Sequence, residues 1–155
     1  MRLTEILQPE CIKVPLASET KQDAIYELVD VLTNAVGMAD QEELRQAVWK
    51  REQTRTTGIG HSIAVPHGKV AGCDHLCMAL GKAAQPIEFG AIDGKPVALI
   101  FLLASPVDQT GPHIQALAHI SHLLTDGEFR AEILGATTPQ EMYEIISQQE
   151  SKAPA

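Results

Sequence analysis

The chain has 155 residues, 45% hydrophobic and 21% charged, which fits one packed domain and excludes wholesale disorder. Lys and Arg total 12 against 20 Asp and Glu, and the formal charge of -8 would repel phosphate backbones, so a general nucleic-acid surface is excluded. No stretch approaches the roughly 18 apolar residues that span a bilayer, and the opening MRLTEILQPECIKV lacks the apolar run of a signal peptide, so a soluble, cytoplasmic protein is expected. Cys11, Cys73 and Cys77 are an odd set without secreted-scaffold density, which fits reduced thiols better than a disulfide framework and by itself implies no redox role.

The chain opens on a strand or turn. Thr20 followed by Asp23 then resembles a capping box, and Ala24, Ile25, Leu28, Val31 and Leu32 share one face, predicting a helix over about 21–35. Gly37 stops it. Asp40 with Glu43 opens a second helix that turns Leu44, Ala47 and Val48 inward and carries Arg51 near its end. The period then changes. IAV (63–65), HLCMAL (75–80) and VALIFLL (97–103) read as strands, the last apolar enough to be central and covered on both faces, and FGAIDGKP between the second and third is turn chemistry. SPVDQTGP leads into HIQALAHISHLL, where His113, Ala116, Leu117, Ile120 and Leu124 cluster on one helical face while His119 and His122 fall on the opposite, wet one. A short helix over about 127–134, another from Thr138 to about 148, and a frayed tail over 151–155 complete the chain. Residues 1–150 are read as one α/β layered domain with a mixed sheet and some antiparallel hairpins.

The segment TTGIGHSIAVPHGK (56–69) concentrates the chemistry. Pro66 holds Val65 extended and Gly68 frees the backbone on the other side, so His67 stands at a strand end on a pinned chain. With an ordinary pKa near 6.5, such a histidine has a free lone pair at neutral pH and can serve as nucleophile, base or ligand. A turn histidine without a role is the plain alternative. Thr56, Thr57, Gly58 and Gly60 offer hydroxyls and amides for an anion site, although neither the phosphate-loop nor the dinucleotide glycine spacing is present. His113 begins a helix after Gly111-Pro112 and faces inward. His61 borders the glycine turn and is equally well explained as a polar turn residue. His75 in CDHLC shares a face with Cys73 and Cys77, but C-x3-C without a second pair leaves a zinc site short of a ligand.

TTGIGHSIAVPHGK and GPHIQALAHISHLL together resemble the enzyme IIA domain of the fructose/mannitol type from the bacterial phosphotransferase system. MRLTEILQPE, Arg51-Glu52 ahead of TTGIG, AIDGKPVALIFLLASPVDQTGPHIQALA and the standalone length are more similar to its nitrogen-regulatory branch. The resemblance implies a mixed β-sheet sandwiched between helices. It implies that His67 accepts a phosphoryl group through Nε2 from a phosphorylated HPr-like carrier. His113 and Arg51 then support the active-site histidine; on the chemistry of the residues themselves, Thr57, Gly58 and Gly60 are expected to bind the phosphoryl oxygens. Neither metal nor cofactor is implied. The implied readout is control of regulatory partners such as kinases or transporters; the alternatives are a sugar-specific IIA feeding a separate IIB and a binding module that works without phosphorylation. The lack of attached IIB and IIC domains favours regulation. His61 and Ser62 depart from the family, whose members often carry Asn or another small polar residue and Gly there, which puts partner preference in doubt.

Overall fold

The computed structural model describes residues 1–38 and 40–152. A 3-10 turn (Leu3–Glu5) leads into β1 (Leu7–Leu16), α1 (Lys21–Val36) and α2 (Gln41–Thr54). Three short strands follow, β2 (Gly58–Gly60), β3 (Ile63–Ala64) and β4 (His67–Lys69), then the long strands β5 (Cys77–Ile87) and β6 (Val97–Ser105). Helices α3 (Thr110–Leu123), α4 (Gly127–Gly135) and α5 (Pro139–Lys152) close the chain. The caps behave as their side chains dictate: Thr20 Oγ1 accepts from the Asp23 amide and Asp40 Oδ1 from the Glu43 amide, each satisfying a donor that the first helical turn leaves free.

The strands form one mixed sheet in the order β1-β5-β6-β3-β2, with β4 also paired to β6. β1 lies parallel to β5, β5 antiparallel to β6, and β3 and β4 parallel to β6. β6 is the centre: Leu99, Ile100, Leu102, Leu103 and Ala104 are fully buried, as its unbroken apolar run requires. Helices cover both faces. A Cβ on Gly81 would strike Leu16 and Leu28, on the α1 side, whereas Lys82, one residue on, reaches the Ala136 carbonyl behind α4. The fold is the expected α/β sandwich.

Some boundaries differ from expectation. β1 is ten residues long although it contains Pro9 and Pro15; proline interrupts a strand pattern, but at a sheet edge its missing N–H faces no partner. His75 falls in the loop before β5, which begins at Cys77. His119 is not on a wet face: it is half-buried and bonds at 2.7 Å to Glu150, a buried carboxylate on α5 that also accepts from the Thr4 amide. Helix α5 runs to Lys152, so Ser151 and Lys152, expected in the tail, are helical; 153–155 lie outside the described residues.

Two features fix the short strands. His61 and Ser62 join β2 to β3 with φ of 57° and 66°, the left-handed pair of a two-residue hairpin that Asn-Gly fills with least strain. Gly68 lies so close to α2 that a Cβ there would sit 3.0 Å from Val48 Cγ2 and 3.1 Å from the Val48 amide nitrogen. Ser62→Gly should therefore stabilise the fold by about 0.5–1 kcal/mol in urea denaturation, and a lowered midpoint would contradict the strain. Gly68→Ala should cost roughly 1–3 kcal/mol by pushing β4 from α2, and an unchanged midpoint would show that the contact yields freely.

Candidate functional site

The site is built on an interrupted strand. Ile63 and Ala64 pair with Leu99 and Ile100, and His67 to Lys69 pair with Leu103 to Ser105, so 63–69 follows one edge of β6 with Val65-Pro66 as the break. Pro66 has no N–H to give the ladder, while its carbonyl accepts from the Leu103 amide. The Val65 carbonyl is turned instead to the imidazole of His67, 2.9 Å from Nδ1. A carbonyl can only accept, so Nδ1 carries the proton and Nε2 keeps its lone pair.

His113, near the start of α3, is 4% exposed, and its ring meets that of His67 edge-on with centroids 5.2 Å apart at 65°. Ser105 Oγ lies 2.5 Å from His113 Nδ1 and tethers the ring from the end of β6. Burial pushes the His113 pKa down to about 4, aided by the neighbouring His67 and Lys69. Burial also lowers that of His67; the Val65 bond opposes this, while Arg51 and Lys69 reinforce it and Glu52 works against it. Both shifts favour the neutral imidazole over imidazolium.

Arg51 borders the clefts on either side of His67 together with Leu117, and Nη1 donates to the Arg55 carbonyl at 2.9 Å beyond the end of α2. It is thus both a helix-end anchor and the cation beside His67. Lys69, which the sequence reading missed, stands on the same strand face as His67, lines the cleft shared with His113 and bonds Thr110 Oγ1 at 3.2 Å.

The glycine-rich segment contributes differently from expectation. Thr57 donates its amide and hydroxyl to Glu52 at 2.8 and 2.5 Å, so neither is turned toward a phosphoryl group. Glu52, 2% exposed on α2, also pairs with Lys21 at 3.0 Å, and Lys21 donates to the Phe89 carbonyl. The Gly58 amide donates to Thr56 Oγ1 at 3.1 Å, and Gly58 packs so near Ala91 that a Cβ would lie 2.7 Å away. Thr56, Thr57 and Gly58 line the cleft at His67 with the exposed Ile59 and Ile92, whereas Gly60 faces Asp93. Glu52 and Ser105 were missed as positioning groups because each acts through a fold contact that no local spacing records.

Among the described residues no three His, Cys, Asp or Glu side chains gather as a metal site, and His75 is exposed beside Asp74 and lines a different cleft from His67 and His113. His61 lies at the hairpin tip, its amide on Asp93. The chemistry available is that of a fixed, neutral imidazole nucleophile with a second imidazole and two cations around it.

Comparison with known proteins identifies the family. A fructose-specific EIIABC component of the phosphotransferase system from Bacillus subtilis is 33% identical over 96% of this chain, which spans 23% of that longer protein. A nitrogen regulatory protein from Klebsiella oxytoca is 32% identical, with 96% of this chain and 91% of the relative covered. The crystal structure of nitrogen regulatory protein IIA-Ntr from Neisseria meningitidis superposes with a TM-score of 0.86 at 26% identity, covering 93% of this chain and 98% of that one. Residues 5–149 match the family described as phosphoenolpyruvate-dependent sugar phosphotransferase system, EIIA 2, and the chain belongs to it.

Proposed function

We propose that this phosphocarrier takes its phosphoryl group on Nε2 of His67 from a phosphohistidine of an HPr-like protein, and that the phosphorylation state of His67 controls regulatory partners. The observation that carries this reading is the Val65–His67 bond, which puts the proton on Nδ1 and leaves Nε2 the nucleophile. In the transfer, a P–N bond to His67 forms as the donor's P–N bond breaks. If Ser105 donates its hydroxyl hydrogen to His113 Nδ1, the Nε2–H of His113 can meet the phosphoryl oxygens, with Arg51 and Lys69 offsetting their charge. The exposed Ile59 and Ile92 at the cleft mouth suit a transient protein contact around the histidine. A cytoplasmic place fits such a relay, and among the described residues no helix is long and apolar enough to cross a membrane. The likeness to a fructose-specific EIIABC component favours a second reading, in which the phosphoryl group passes on to a separate IIB.

Intact-protein mass spectrometry at neutral to alkaline pH, after mixing with enzyme I, an HPr-like protein and phosphoenolpyruvate, should show one phosphoryl group on the wild type and none on His67→Ala. Label persisting in that variant would remove His67 from the role. His113→Ala should fold yet transfer on the order of 10²-fold more slowly; unchanged rates would make His113 purely structural. Reverse transfer from the labelled chain to a purified IIB would instead support the sugar-specific reading.

The pH dependence of stability follows from His113. Its folded pKa of about 4 lies below the ordinary 6.5, so between these values the unfolded chain binds more protons. Stability should fall as pH drops from 6.5 toward 4, by on the order of 2–3 kcal/mol from this group. His113→Gln should flatten that part of the profile in urea denaturation, and an identical slope in both proteins would show that other groups govern acid unfolding.

A further inference from the structure

Cys73 lies in the loop between β4 and β5, and Cys77 is the first residue of β5. Their Sγ atoms are 4.0 Å apart, about 2 Å more than a disulfide bond. Both side chains are buried, at 5% and 3% exposure, but a cavity of about 190 Å³ reaches them, lined also by Val36, Gly37, Gly72 and His75. Such a space admits a hydroperoxide, since a water occupies only about 30 Å³. The loop has room to close. Gly72 has nothing within 4 Å of where a Cβ would stand, and Asp74 and His75 are exposed. Cys11, by contrast, is fixed within β1 at 1% exposure.

We propose that Cys73 and Cys77 are a dithiol that hydroperoxides oxidise to an intramolecular disulfide, with Cys11 left reduced. The order of events follows from the hydrogen bonds. The two sulfurs share one hydrogen bond at 4.0 Å; with Cys77 as its donor that bond favours thiolate at Cys73 and lowers its pKa, while the same bond and burial raise Cys77. The His75 carbonyl, 2.8 Å away, accepts the Cys73 hydrogen while that thiol is protonated. With hydrogen peroxide, Cys73 sulfur attacks one oxygen, the O–O bond breaks, and the departing oxygen leaves as water with the Cys73 proton (as an alcohol from an organic hydroperoxide), giving a sulfenic acid. Cys77 sulfur then attacks Cys73 sulfur. The S–S bond forms, the S–O bond breaks, and hydroxide leaves as a second water with the Cys77 proton. The two sulfurs lose two electrons and the peroxide gains them. Burial raises the Cys11 pKa and keeps that thiol out of the exchange.

The test treats the folded, reduced chain with a modest excess of hydrogen peroxide, quenches, unfolds and alkylates, and reads intact mass and peptides. Wild type should lose about 2 Da, keep one alkylatable thiol at Cys11 and yield a Cys73–Cys77 disulfide peptide. Cys73→Ser should show no such loss and keep two alkylatable thiols. Cys77→Ala should instead gain about 16 Da at Cys73 as a sulfenic acid that a dimedone-type reagent traps. Three alkylatable thiols in treated wild type, or a disulfide that includes Cys11 or links two chains, would overturn the proposal.

Discussion

The bond between the His67 ring and the Val65 carbonyl is the constraint on which the site depends. It fixes the ring's tautomer, and thereby which nitrogen can react. The carbonyl is available only because the strand is broken at Val65-Pro66, and the break is stable only because β6 holds the chain on both sides of it. β6 also ends in Ser105, which tethers His113. One buried strand thus places the nucleophile from its edge and the neighbouring imidazole from its end, so their separation is set by sheet register and not by flexible loops.

Around this frame the charges are arranged to keep the imidazoles neutral while leaving cations within reach. Consecutive residues of α2 divide the work. Glu52 turns inward to Thr57 and Lys21 and holds the TTG segment, whereas Arg51 borders the cleft. Burial with Arg51 and Lys69 nearby disfavours imidazolium at His67, and burial beside His67 and Lys69 does so more strongly at His113. A phosphoryl group brought to His67 would meet that positive surround, which unfavourably biases a proton and favourably biases an anion.

Much of the fold was legible in local patterns. Thr20 and Asp40 cap the helices they were expected to open, and β6 is as central as its apolar run implied. His113 is on the buried face that helical spacing assigns it. β1 was hidden by Pro9 and Pro15, which are harmless only at an edge that the sequence does not reveal. His119 was misplaced on a wet face because its partner, Glu150, belongs to a helix 31 residues away. Thr57 was read as an anion donor because nothing local shows that Glu52 engages both of its groups.

Local patterns were enough to identify the helical segments, the central strand and the histidine on a pinned backbone, because capping, periodicity and proline act over a few residues. With the motifs around His67 and His113 it also pointed to the right family, which the match over residues 5–149 shows. Which nitrogen of His67 is free, that its ring meets His113, and that Cys73 and Cys77 face each other emerge only from the folded chain. Those facts depend on distances between chain segments, and distances of that kind are set by sheet register and core packing, which no local pattern encodes.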